Sequence, residues 1–181
     1  MAIPGELPDG PLAEIGVIGG TGLYSLLADA EEHAVPTPYG EPSAPLTVGA
    51  FGGRRVAFLP RHGVGHRYPP HAINYRANLW ALHAAGVRQV LAPCAVGGLR
   101  DTVAPGDLVA PDQLVDRTYR RVGSYVETGA VHLPFADPYC PRLLGTLDGV
   151  EGVRTGATIR RFSISRTDSF TSLGRMPGSR E

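Results

Sequence analysis

No lysine occurs anywhere in this chain: all 17 basic residues are arginine, balanced by 17 acids, so the formal charge is zero. Without a basic excess the sequence does not read as a nucleic-acid or membrane-surface protein, whose phosphate-rich partners demand one. Cysteine is equally scarce. Cys94 and Cys140 alone build no disulfide framework and fit a reducing compartment, so a cytoplasmic location is expected. Long apolar runs are missing too. The best of them, residues 15–28, is broken by Gly19, Gly20, Thr21 and Gly22, whereas a bilayer span takes about 20 apolar residues. The opening MAIPGELPDGPLAE is acidic and proline-bearing and lacks the basic-then-apolar pattern of a signal peptide. What the chain does have is 24 glycines and 17 prolines in 181 residues, below the roughly 25–30% that marks low-complexity sequence. With 43% hydrophobic residues, one domain with its own core is expected.

Residues 1–13 read as a loose leader. Residues 15–18 form a short apolar run halted by Gly19-Gly20, as a buried strand ending in a tight turn would be. Two β-rich runs, 46–51 and 55–59, flank Gly52-Gly53-Arg54 and suggest a hairpin. After Pro69-Pro70 a helix is expected, with Ile73, Ala77, Trp80, Ala81 and Ala84 on its apolar face and Gly86 as a left-handed cap. Residues 87–92 read as the strongest buried strand, and 108–110 and 113–115 as two further short ones. Strand, helix and strand with glycine-rich turns indicate an α/β layered fold, in which ligands gather beyond the strand ends. From about residue 153 the composition turns basic and rich in Ser and Thr, with no helical or strand period, so 153–181 is expected to be a divergent, poorly ordered tail.

Three glycine-rich turns follow predicted strands. In Gly19-Gly20-Thr21-Gly22, backbone N–H groups can converge on an anion and Thr21 adds a hydroxyl, although a plain tight turn reads as well. The dinucleotide fingerprint fails at Ser25, and a P-loop fails for want of lysine. In Pro60-Arg61-His62-Gly63-Val64-Gly65-His66, the Arg61 fork suits phosphate oxygens and His62 adds a second polar group. His62, His66 and His71 make a poor metal set, because Arg61 and Arg67 would repel a cation and no cysteine is near. In Pro93-Cys94-Ala95-Val96-Gly97-Gly98, Cys94 has no neighbouring base and reads as a small packed residue rather than a nucleophile. Together the turns favour one phosphate-sized anion site.

An ordered set of segments carries a resemblance. Ile-Gly-Val-Ile-Gly-Gly-Thr-Gly at 15–22, Arg-His-Gly at 61–63, Ile-Asn-Tyr-Arg-Ala-Asn-Leu-Trp-Ala-Leu at 73–82, Gly-Gly-Leu-Arg at 97–100, Pro-Gly-Asp at 105–107 and Asp-Gln-Leu-Val-Asp-Arg-Thr at 112–118 occur in sequence. From about residue 14 to 152 the chain closely resembles the methylthioadenosine phosphorylase branch of the purine nucleoside phosphorylase family. That resemblance implies a three-layer α/β fold with a central mixed sheet, a homotrimer, and phosphorolysis of S-methyl-5′-thioadenosine to adenine and 5-methylthioribose 1-phosphate. It implies no metal and no organic cofactor, inorganic phosphate being the co-substrate. Carried across by position, it places Thr21, Arg61, His62, Cys94 and Ala95 on phosphate. His66, Val96, His132, Phe162 and Ser163 fall at substrate-binding positions, His132 towards a neighbouring subunit's 5′-substituent pocket.

Past residue 152 the resemblance thins to Arg161-Phe162-Ser163 and a loose echo in Ser165-Arg-Thr-Asp-Ser169. The ribose strand and the base-protonating aspartate of the family are not found. A C-terminally truncated or frame-shifted product is therefore expected, holding the phosphate half of the site. Two alternatives stand beside the phosphorylase: a non-catalytic phosphate-binding remnant, and a histidine phosphatase-type hydrolase in which His62 would carry the phosphoryl group.

Overall fold

The structure, a computed structural model, describes residues 10–20, 27–119 and 121–161, the side chains of 157–161 excepted. The chain divides into two compact units, Met1–Cys94 with Val122–Tyr125, and Ala95–Arg121 with Val126–Glu181.

The first unit is built on a mixed sheet ordered β2-β3-β4-β1-β5. Its strands are β1 (Ile15–Gly19), β2 (Ala28–His33), β3 (Leu46–Phe51), β4 (Arg54–Pro60) and β5 (Gln89–Leu91). β3 and β4 form the expected hairpin, closed by Gly52 and Gly53 at φ 57° and 76°. Positive φ at both central residues is what a two-residue turn matched to strand twist demands, and glycine supplies it without steric cost. β1 runs parallel to both β4 and β5, with Gly19 opposite Pro60 and Val17 opposite Leu91. All three strands therefore finish at one end of the sheet, where open α/β sheets receive ligands.

β4 is buried without interruption from Val56 to Pro60, as befits a strand covered on both faces. Helix α1 (Tyr75–Ala84) packs on the sheet at β1 and is capped by Asn74, whose Oδ1 accepts from Ala77 N at 3.2 Å. Its buried residues are Ala77, Asn78, Ala81 and Leu82. The expected face is thus rotated, with Trp80 and Ala84 only half-buried, because polar Asn78 is drawn inward by hydrogen bonds and Leu82 packs on β1. A Cβ on Gly16 would lie 2.9 Å from Val87 Cγ1 and 3.3 Å from Leu82 Cδ2, so a side chain at Gly16 would push these groups off the sheet. Gly86 caps the helix at φ 91° as expected.

Two expectations need correction in this unit. Pro11, Leu12 and Ala13 are no loose leader: Leu12 N and Ala13 N both donate to Ala85 O, at 2.8 and 3.3 Å, and Ala13 is buried. The strand expected over 87–92 shrinks to β5 with Leu91 49% exposed, because it lies at the sheet edge and pairs with β1 alone. β2, with sequence Ala-Asp-Ala-Glu-Glu-His, forms the opposite edge, its charges exposed there as edge strands favour.

In the second unit β6 (Leu108–Asp116) pairs in parallel with β7 (Val153–Arg161). The two short strands expected over 108–115 are one, continuing through a register shift at Pro111, where proline has no N–H to give the ladder. β7 occupies the start of the expected tail. A parallel strand carries no obligatory alternation, so its period is hidden in the sequence. A short helix α2 (Pro141–Gly145) follows Cys140, and Asp107 meets Arg154 at 3.2 Å while accepting from Ala104 N. No helix among the described residues is long and apolar enough to cross a membrane.

Candidate oxyanion site

The shared end of β4, β1 and β5 is joined by one side chain. Arg61 follows β4 directly, and its backbone N–H donates to Gly19 O at 3.1 Å, fastening the loop to the end of β1. Its guanidinium reaches across that end: Nη2 donates to Ile18 O at 3.3 Å and to Pro93 O at 3.2 Å. Of the three glycine-rich turns, the first and second leave side by side, and the residue opening the third accepts from Arg61.

Arg61 is only 7% exposed. Its Nε is buried with no hydrogen-bond partner, and no carboxylate ion-pairs with it among the described residues. Two carbonyls orient the guanidinium but do not neutralise it. A buried cation in this state is costly, several kcal/mol per ion even after relaxation, unless an anion compensates it. The planar fork and the free Nε match a tetrahedral oxyanion.

His62, half-buried, is locked by its own loop. Its Nδ1 lies 2.9 Å from Tyr68 O; a carbonyl can only accept, so Nδ1 carries the proton and Nε2 is left for other contacts. Tyr68 N returns a bond to His62 O at 2.9 Å. The turn between them needs Gly63 at φ 73°, where a Cβ would meet Ser43 O at 2.9 Å. His66 stacks on His62 with ring centroids 5.5 Å apart, and holds a left-handed backbone at φ 58°. Among the described residues no three His, Cys, Asp or Glu side chains are grouped to hold a metal ion.

The remaining expected positions are distributed as follows. Thr21, Phe162 and Ser163 lie outside the described residues. Cys94, half-buried, is the last residue of the first unit before its 122–125 segment, while Ala95 and Val96 open the second, Val96 being 54% exposed. His132 is an exposed residue of that second unit. The structure thus groups Arg61 and His62 with the strand ends. Two residues beneath this group escaped the sequence reading: Ser43, whose Oγ donates to Arg61 O, and Asn78, which bonds Ser43. The second asparagine of the 73–82 segment, one helical turn after Asn74, is the one signal that pointed there.

A cation buried where three parallel strands end marks a candidate oxyanion site in an α/β protein, and comparison with known proteins narrows that class. The sequence matches the Phosphorylase superfamily over residues 14–172, and the chain belongs to that family. It is 56% identical to an S-methyl-5′-thioadenosine phosphorylase of Mycolicibacterium smegmatis over 146 residues, 80% of this chain and 56% of the relative. It is 59% identical to a purine nucleoside phosphorylase of Streptomyces coelicolor over 138 residues, 71% of this chain and 49% of the relative. Among solved structures, a methylthioadenosine phosphorylase from an Antarctic soil metagenomic library superposes with a TM-score of 0.73 at 42% identity, covering 82% of this chain and 55% of that one. The Schistosoma mansoni methylthioadenosine phosphorylase in complex with tubercidin gives 0.77 at 30% identity, covering 85% and 64%. The chain spans about half the length of the curated relatives it matches.

Proposed function

We propose that this chain carries the phosphate half of a purine nucleoside phosphorylase active site, acting on S-methyl-5′-thioadenosine. The observation that carries the reading is the buried Arg61 guanidinium, held by Ile18 O and Pro93 O with Nε unused. On this reading Arg61, His62 and Thr21 grip inorganic phosphate, with backbone N–H groups at Cys94 and Ala95 completing the cradle. The Cys94 thiol is a weaker donor than a hydroxyl, which shifts more of the holding to those N–H groups. His66, Val96, His132, Phe162 and Ser163 line the nucleoside side.

The chemistry is a displacement at the anomeric carbon. Phosphate oxygen forms the new C–O bond, the C–N bond to the purine breaks, and its electron pair leaves with the base, which takes up a proton. Positive charge develops on the ribose in the transition state, and a phosphate fixed beside it both stabilises that charge and attacks. Adenine and 5-methylthioribose 1-phosphate result. The proton must come from an acid beside the imidazole ring of the purine, a role no residue of this chain has been given. The three-layer fold, the homotrimer and the cytoplasmic setting belong to the same proposal and rest on the family resemblance.

The test is release of adenine from S-methyl-5′-thioadenosine by the purified chain, with and without phosphate. Release that requires phosphate supports the phosphorylase. Phosphate binding with no adenine release would instead assign the second reading, a phosphate-binding remnant without turnover. Family membership leaves the histidine phosphatase alternative without support.

A further inference from the structure

A reciprocal side-chain pair lies directly beneath the Arg61 loop. Ser43 N donates to Asn78 Oδ1 at 2.7 Å, Asn78 Nδ2 donates to Ser43 Oγ at 2.9 Å, and Ser43 Oγ donates onward to Arg61 O at 2.9 Å. Ser43, Asn78 and Arg61 are all buried, at 9%, 2% and 7% exposure. The hydroxyl is used on both sides, so the direction of the chain is fixed: amide to hydroxyl to carbonyl. That carbonyl belongs to the peptide joining Arg61 to His62. Orienting this one peptide plane aims both side chains that the proposed function assigns to phosphate.

The same segment is clamped from two further directions. Asn74 Nδ2 donates to Tyr39 O at 2.7 Å and Glu41 O at 3.3 Å, tying 39–41 to the start of α1. Ser43 O fills the space where Gly63 would carry a Cβ. Stability alone does not call for such a pair, since replacing two buried hydrogen-bonding partners by apolar groups of like shape is often nearly neutral. A fully satisfied buried pair instead specifies one arrangement. We propose that Ser43 and Asn78 are positioning residues that hold the Arg61–His62 peptide in the orientation needed to capture an oxyanion, an inference that rests on the phosphate reading of Arg61.

The test is calorimetric titration of the full chain with inorganic phosphate, alongside its melting temperature without phosphate. Wild type should bind, and Arg61→Met should not. Ser43→Ala should weaken phosphate about tenfold, the equivalent of one hydrogen bond, while Ser43→Thr, which keeps the hydroxyl, stays within about threefold of wild type. Ser43→Cys, nearly isosteric but a weaker donor, should fall between them and serves if Ser43→Ala does not fold. Lowered melting temperatures with unchanged phosphate affinity in Ser43→Ala or Ser43→Cys would reduce the pair to a packing role and overturn the inference alone. Absence of binding by wild type, or equal binding by Arg61→Met, would overturn the phosphate reading and the inference with it.

Discussion

Arg61→Met separates a structural arginine from one kept for an anion, because only the second role makes the effect of the substitution depend on phosphate. Without ligand, the substitution removes two hydrogen bonds to Ile18 O and Pro93 O, each about 1.5–3 kcal/mol for a charged donor. It also removes a guanidinium only 7% exposed, whose desolvation costs several kcal/mol when no anion offsets it. The two effects oppose each other, so the ligand-free variant should match wild type to within about 2 kcal/mol. With phosphate at a hundred times its dissociation constant, wild type should gain about 2.7 kcal/mol. At about 2–4 °C per kcal/mol for a chain of this size, that is a rise of roughly 5–11 °C. The variant should gain nothing, since loss of a buried charge partner costs about 3–5 kcal/mol, more than a hundredfold in affinity. Trp80, the sole tryptophan, lies in the same unit as Arg61 and reports its melting by fluorescence. An equal phosphate-induced rise in Arg61→Met, with ionic strength matched by chloride, would refute the reasoning.

Other substitutions probe the scaffold and its titration. Gly86→Ala combines a φ of 91° with a Cβ placed 2.5 Å from Pro11 Cβ and 2.8 Å from Pro11 Cα, and should cost about 2 kcal/mol or more in urea denaturation; an unchanged midpoint would contradict the packing of residues 11–13 on α1. Phe58→Ala, at a residue 2% exposed in β4, should cost about 3–5 kcal/mol, and a loss below about 1 kcal/mol, the worth of a single methylene, would show that this side chain is not in a packed core. Burial, and secondarily the positive charge of Arg88, holds the His83 imidazole below its ordinary value of 6.5. The unfolded chain therefore binds the proton more readily, and stability should fall as pH drops below 6.5 towards the lowered folded value. His83→Gln should flatten that fall in denaturation midpoints measured from pH 7.5 to about 5, whereas parallel curves would exclude His83 as its source.

Legibility in the sequence followed the range of the forces involved. The β3–β4 hairpin was readable because Gly52-Gly53 declares its turn chemistry locally, and β1 because an apolar run stops at glycine. Arg61 was readable as a candidate because a donor fork directly after a buried strand is itself a local pattern. β2 was not readable: Ala-Asp-Ala-Glu-Glu-His has little strand propensity and is held by antiparallel pairing to β3. The rotation of α1 was hidden for a similar reason. Asn78 faces inward only because Ser43, 35 residues earlier, meets it there, and no periodicity encodes such a partner. β6 was legible only as two fragments and β7 not at all, because their parallel pairing joins strands separated by residues 117–152 and no local pattern encodes so distant a partner.

The most direct test of the central claim is a crystal structure of the chain grown with inorganic phosphate. The account expects a tetrahedral anion with an oxygen in hydrogen-bonding distance of Arg61 Nε, beside the ends of β1 and β4. A protein carboxylate on that nitrogen, or an Arg61 turned out to solvent with no anion beside it, would contradict it.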